Sequence, residues 1–172
     1  ARQHGAKVVT VQHRQIAATR NAGAREAKGD LLIFIDADTL VTTEAVRGAI
    51  EIVRSGAVGG GCAIRYTGRI PAYLRLFIPV EVWFARRMRI AFGCFLFCTR
   101  AAFEAVGGFD NSLFATEEIT LSLALHSQGR FVCLPECVST SGRKLRTHST
   151  TEWFVQIYRI TFARERYVRD RA

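Results

Sequence analysis

No apolar run in this 172-residue sequence approaches the ~20 residues that a membrane-crossing helix needs. The nearest candidate, Leu74 to Phe84, is interrupted by Arg75 and Glu81 and does not span. No secretory leader opens the chain. Cysteine is sparse as well. Cys62, Cys94, Cys98, Cys133 and Cys137 are odd in number and lack the dense spacing of a disulfide framework, which fits free thiols in a reducing, cytoplasmic compartment. Both C-x-x-x-C pairs fall in strand-like segments, where positions i and i+4 lie roughly 13 Å apart, so zinc is not expected there. There is no internal repeat and no low-complexity tract. No zinc-finger, RNA-recognition or helix-turn-helix signature appears, so nucleic acid is not the expected partner.

Acidic charge is the other shortage. Fifteen Asp and Glu stand against twenty-four Lys and Arg, a formal charge of +9. That balance favours a phosphate-bearing partner, and charge alone does not choose among nucleotide, nucleic acid and anionic membrane face. With 49% hydrophobic residues the chain can bury one core, so residues 1–172 are expected to form a single domain.

What is present follows an alternating pattern. Lys7 to Val11 reads as a short strand and Ile16 to Lys28 as an Ala-rich helix stopped by Gly29. Leu31 to Ile35 is apolar without alternation, the pattern of a strand covered on both faces in a parallel sheet. Thr42 or Thr43 can cap the next helix, where Val46, Ala49, Ile50 and Val53 hold one face before Gly56 ends it. Gly59 to Tyr66 and Phe92 to Cys98 read as strands, with a basic, aromatic stretch from Arg69 to Arg89 between them. Thr99 to Val106 and Glu117 to Gln128 read as helices ended by glycines, and Arg130 to Leu134 as one more strand. The expected class is therefore α/β, with a largely parallel central sheet flanked by helices, in which ligands sit beyond the carboxyl ends of strands.

The tail from 151 to 172 reads as an amphipathic helix, with Trp153, Phe154, Ile157, Tyr158 and Ile160 near one face and arginines around it. Such a stripe either packs on its own domain, the commoner use, or lies in a membrane interface as a peripheral contact at the inner face.

Asp36 and Asp38 stand at the carboxyl end of the apolar strand, one residue apart. Both carboxylates can reach one hard cation, and oxygen ligands select Mg2+ or Mn2+. Such an ion would bridge the two phosphates of a nucleotide and take up charge growing on a leaving group. The bland alternative is a solvated loop with two acids.

Arg20-Asn21-Ala22-Gly23, then Ala27-Lys28-Gly29-Asp30, the apolar strand and Asp36-Ala37-Asp38 together resemble the donor-site stretch of family 2 glycosyltransferases: R-N-x-G, A-x-G-D, strand, D-x-D. Phe95-Leu96-Phe97 and Arg100 to Asp110, ending in G-G-F-D, look like that family's acceptor-side strand, short helix and turn. Glu117-Glu118-Ile119-Thr120-Leu121 falls where the family carries E-D-x-x-L. The resemblance runs from about Gly5 to Arg146 and implies a Rossmann-like nucleotide-diphospho-sugar transferase fold. It also implies a first strand with P-x-Y-N-E and a second ending in a base-binding acid. Neither is found, so the chain is expected to lack its amino-terminal strands.

Roles follow from the resemblance and from chemistry together. Displacement at an anomeric carbon needs a base near the acceptor hydroxyl, and Glu118 is the expected base, with Glu117 orienting the site. The family usually has Asp at the position of Glu118. Two acids opening a helix also simply favour its positive end. Arg20, Asn21, Asp36, Ala37 and Asp38 are expected at the nucleotide sugar. Arg143, Lys144 and Arg146 occupy the place of a basic segment that would meet the departing diphosphate, although the tryptophan of that segment is replaced by Thr147. His148 can serve as a third metal ligand, and a lone loop histidine is more often solvated. The implied activity is metal-assisted, inverting transfer of a sugar from a nucleotide-diphosphate donor to a hydroxyl of a saccharide, lipid-linked or small-molecule acceptor.

Two rivals remain to be weighed. An aspartate-nucleophile phosphatase of the haloacid dehalogenase type wants Thr or Val two places after the second Asp, where Leu40 stands. A catalytically inactive relative or fragment acting as a binding module is the alternative that the motifs do not remove.

Overall fold

Ala17, Asn21, Ala22 and Ala24 form the buried face of the first helix, α1 (Ile16–Glu26), where small side chains let the helix lie close to its neighbours. The structure, a computed structural model, describes residues 1–68, 70, 72–113 and 116–142. After α1 come β1 (Leu31–Ile35), β2 (Thr39–Leu40), α2 (Thr43–Arg54), β3 (Ala57–Thr67), α3 (Ala72–Met88), β4 (Phe95–Thr99), α4 (Arg100–Ala105), α5 (Glu117–Leu125) and β5 (Arg130–Ser141). Caps follow the sequence. The Thr42 hydroxyl accepts from Ala45 N–H at 3.2 Å to start α2, and Thr99 does the same for Ala102 in α4. Arg143, Lys144, Arg146, His148 and the expected tail helix at 151–172 lie outside the described residues.

The five strands form one sheet in the order β1-β4-β3-β5-β2. It is mixed, not largely parallel: only β3 and β5 pair in parallel among these neighbours, while β1/β4, β3/β4 and β2/β5 are antiparallel. Thus β1, β3 and β5 share a direction, and β4 runs against them between β1 and β3. Strand-helix alternation implies parallel neighbours only where the helix carries the chain back along the sheet. Helix α3, which occupies the basic, aromatic stretch, delivers the chain at the end where β3 stops, so β4 returns in the opposite sense.

Two further expectations are corrected. β1 stands at one edge of the described sheet and its neighbour β4 is antiparallel, so its apolar run does not mark a parallel setting; the expected cover on both faces is present, with Leu32 and Phe34 packed on one side and Leu31 and Ile33 on the other. Residues 7–11 form no strand, and Val8 and Val9 stand exposed. High β-propensity gives a strand only where a neighbouring ladder accepts its backbone groups, and none is paired to this segment. Conversely, the two-residue β2 escaped notice because its identity as a strand comes from the partners Ser139 and Thr140 on β5.

Side chains alternate across β4, so Phe95 and Phe97 enter the core shared with α2 while Leu96 and Cys98 enter the core shared with α1, α4 and α5. The result is a sheet with apolar packing on both faces. All five cysteines are free. Burial pushes the thiols of Cys62, Cys94 and Cys98 up to about 12, so they serve as protonated packing groups rather than thiolates.

The centre of β3 is Gly59-Gly60-Gly61. A methyl placed on Gly60 would fall 2.1 Å from the Val132 carbonyl oxygen and 2.6 Å from Phe97 Cζ, inside two neighbours that cannot both retreat. Gly60→Ala should therefore destabilise the fold by about 3 kcal/mol through overpacking, read as a lowered midpoint in urea unfolding.

Candidate active site

Arg20 projects from the middle of α1 toward the carboxyl end of β1, and three segments distant in sequence converge on it. Its Nη2 donates to Asp36 Oδ1 at 2.7 Å and to the Gly93 carbonyl at 3.0 Å. Its Nη1 donates to Glu117 Oε1 at 2.8 Å. The Phe109 ring lies 5.4 Å from the guanidinium carbon, close enough for a cation–π contact, and that ring is itself edge-on to Phe34. A planar fork suits this arrangement, because it aims separate donors at acceptors on different elements. The guanidinium and Glu117 are nearly buried, with side chains 13% and 6% exposed, while Asp36 is 36% exposed and opens to solvent.

Asn21 performs the neighbouring task. Its amide nitrogen donates to the Phe109 carbonyl at 2.8 Å and to Asn111 Oδ1 at 2.9 Å, and its oxygen accepts from Phe109 N–H at 3.0 Å. The side chain expected at the nucleotide thus has both amide hydrogens engaged inside the protein. It clamps the G-G-F-D turn, whose Gly107 and Gly108 adopt φ of 81° and 76°. The R-N pair is therefore a junction: one residue gathers the acids and the next fixes the loop beneath them.

Beyond β1 the chain turns at Asp36, with Thr39 N–H donating to the Asp36 carbonyl at 3.0 Å. Ala37 and Asp38 occupy the exposed tip of that turn. Among the described residues, no cluster of three or more His, Cys, Asp and Glu side chains could hold a metal ion. The donor chemistry nevertheless fits a magnesium-type site, since that ion is commonly held by one or two carboxylates plus substrate phosphates and water. Asp36 and the exposed Asp38 are the residues that would hold it.

Glu117 and Glu118 open α5 after Thr116, whose φ of 66° is unusual for a β-branched residue and costs of order 1–3 kcal/mol. The Thr116 hydroxyl is buried without a hydrogen-bond partner among the described residues. Glu118 has a carboxyl pushed up to about 7, first by burial and then by the adjacent charge of Glu117, with Arg20 acting in the opposite direction. Gly93, which the motifs did not single out, explains how these groups meet. A methyl there would lie 3.0 Å from Arg20 Nη2 and 3.5 Å from Glu118 Cδ, so both groups border space left by the missing side chain. The one available signal was a glycine interrupting a strand pattern, which marks close backbone approach.

Structure and sequence thus bring together Arg20, Asp36, Glu117 and Glu118, with Asp38 at the rim. Residues 1–104 match the sequence profile of glycosyl transferase family 2. The chain belongs to glycosyl transferase family 2. No curated protein sequence matches it closely. Its fold is that of A-type glycosyltransferases. The mannosyltransferase PcManGT of Pyrobaculum calidifontis, solved with GDP-Man and Mn2+, superposes with a TM-score of 0.56 at 19% identity over 85% of this chain and 44% of that one. TarS of S. aureus superposes with a TM-score of 0.53 at 13% identity, over 88% of this chain and 27% of that one. The family 2 chain described here spans less than half the length of either neighbour.

In this family 2 domain, removing Arg20 would leave Glu117 buried without its counter-ion. Arg20→Ala should lower stability by about 3–5 kcal/mol, measured by urea unfolding, a loss well beyond that of an exposed arginine.

Proposed function

We propose that this domain transfers a sugar from a nucleotide-diphosphate donor to an acceptor hydroxyl by a single, inverting displacement. The observation that carries the reading is Glu118: a half-buried carboxyl pushed up to about 7 beside the Asp36–Arg20–Glu117 junction, in a chain of family 2. A general base works best when its pKa lies near the working pH, and burial has brought Glu118 there.

In this reading the acceptor oxygen attacks the anomeric carbon, its proton passes to a Glu118 carboxylate oxygen, and the bond to the nucleoside diphosphate breaks. Glu117, held by Arg20, fixes the first turn of α5 and so orients Glu118. Asp36 and Asp38 would hold Mg2+ or Mn2+, which when bound supplies positive charge to the diphosphate as it departs. A divalent ion is also suggested by the Mn2+ of the similar mannosyltransferase structure. A hexose donor, a cytoplasmic setting, and contributions from Arg143, Lys144, Arg146 and His148 belong to the same proposal. The competing reading, a catalytically inactive binding module, leaves the upward displacement of Glu118 without a use.

Calorimetric titration with UDP, GDP and dTDP sugars, with and without Mn2+, tests the donor half. Metal-dependent binding is expected for one base, and Asp38→Ala should abolish it, whereas metal-independent binding that survives this change would refute the assignment of Asp38.

The acceptor half is tested by pH. Glu118 must lose its proton to act, so kcat/KM should climb about tenfold per pH unit below about 7 and level off above it. Glu118→Gln should leave donor binding intact and remove transfer; a variant that still transfers at the parental rate would overturn the role of Glu118.

A further inference from the structure

Helix α3 carries a surface that neither the fold nor the proposed reaction uses. Trp83 is 65% exposed and Val80 is 59% exposed, unusual for large apolar side chains. At 3.6 residues per turn, Pro79 and Val80 sit one turn before Trp83 on the same face, and Arg86 and Arg87 one turn after it. All four are exposed. Arg75 adds a further exposed cation one turn earlier. Ala85, on the opposite side, is buried at 6%, and its carbonyl meets the Cys133 thiol of β5, which fixes the inward direction of the helix. Among the described side chains of α3, no exposed one is acidic.

We propose that this face docks the protein on an anionic phospholipid surface. Charge and apolarity are both required to choose the occupant. Cations beside an exposed Trp and aliphatic neighbour match headgroup phosphates at the level where Trp partitions, and the chain's +9 reinforces the attraction. A nucleic acid would engage the arginines and leave Val80 in water, and an apolar protein groove would have to desolvate the arginines that border the ridge. No described helix is long and apolar enough to cross a membrane, so α3 lies on the surface and does not span it.

The docking helix is also bonded to the helix that carries Glu118. The exit from α3 contacts α5 twice: His126 Nε2 lies 2.9 Å from the Arg89 carbonyl, and Ala91 N–H donates to Ser122 Oγ at 3.1 Å. The same segment then supplies the Gly93 carbonyl to Arg20. The docking itself does not depend on the transferase reading, because vesicle binding is measured without turnover.

The test uses the full chain carrying Trp153→Phe, which leaves Trp83 as its sole tryptophan. Vesicles of phosphatidylcholine alone, and of phosphatidylcholine with about one third phosphatidylglycerol, are compared by co-sedimentation and by Trp fluorescence with brominated acyl chains. The expected result is partitioning at least about tenfold stronger on the anionic vesicles, a blue shift, and quenching of Trp83 by bromine. Arg75→Glu with Arg87→Glu should weaken partitioning by more than about tenfold, and Val80→Ser with Trp83→Ser should weaken it comparably, while far-ultraviolet circular dichroism stays unchanged. Equal binding to both vesicles, binding without quenching of Trp83, or partitioning indifferent to either pair of changes would overturn the proposal. So would a Trp83 response to single-stranded RNA or to an added protein in place of vesicles.

Discussion

One buried guanidinium decides how the rest of this site is built. Arg20 reaches Asp36 at the end of an edge strand, Glu117 at the start of a helix nearly a hundred residues later, and the backbone of Gly93 between them. None of these segments is a neighbour of another in sequence. The buried charge has to be compensated on several sides, so their mutual placement is over-determined. Its surroundings show the same demand. Asn21 binds the loop that presents Phe109 to the guanidinium, and Gly93 gives up a side chain so that the backbone can approach.

The mixed sheet is what makes that convergence geometrically available. Reversal of β4 between β1 and β3 brings the start of β4, and hence Gly93 and Cys94, beside the end of β1, where Asp36 N–H points toward the Cys94 carbonyl at 3.5 Å. A parallel β4 would have put its other end there. The candidate site lies beyond the carboxyl end of β1, where an α/β sheet is expected to hold its ligand, while β4 contributes its amino end to the same region.

Local patterns were legible in the sequence where local physics sets them. The helix at Thr43–Arg54 has its cap and its terminal glycine within fifteen residues, and both survive in the structure, while its core face is Ala45, Ala49, Ile52 and Val53, so only Ala49 and Val53 of the expected stripe lie in it. The run at Leu31–Ile35 was legible as a strand but not as an edge, because continuity of apolar residues does not say which neighbours lie alongside. Residues 7–11 show the converse, β-prone but unpaired. The stretch from Arg69 to Arg89 gave no helix reading because its aromatic residues, arginines and internal proline obscure the 3.6 period, although a helix with Pro79 inside it forms there. In the site, motif order pointed to Arg20, Asp36 and the Glu117–Glu118 pair. It did not reveal that Asn21 faces the protein interior, nor that Gly93 completes the junction, since both are facts about partners remote in the chain.

Three adjacent residues carry conformational or electrostatic costs that the remainder of the described fold largely avoids. Thr116 holds a left-handed backbone and a buried hydroxyl unpartnered among the described residues, whereas Thr42 and Thr99 cap their helices with ordinary geometry. Glu117 is buried and needs Arg20. Glu118 is half-buried with its carboxyl displaced toward neutrality. Selection for stability alone would favour an ordinary cap at 116 and an apolar or exposed side chain at 118, since a half-buried acid beside a second carboxylate is worse for folding than a well-packed hydrocarbon. Costs concentrated at one helix start, in a chain whose local signals elsewhere agree with its fold, are the mark of a segment shaped by chemistry. The longer Glu at 118, in place of the family's usual Asp, fits this view. Its carboxyl borders the space that the missing side chain of Gly93 leaves, beside Arg20.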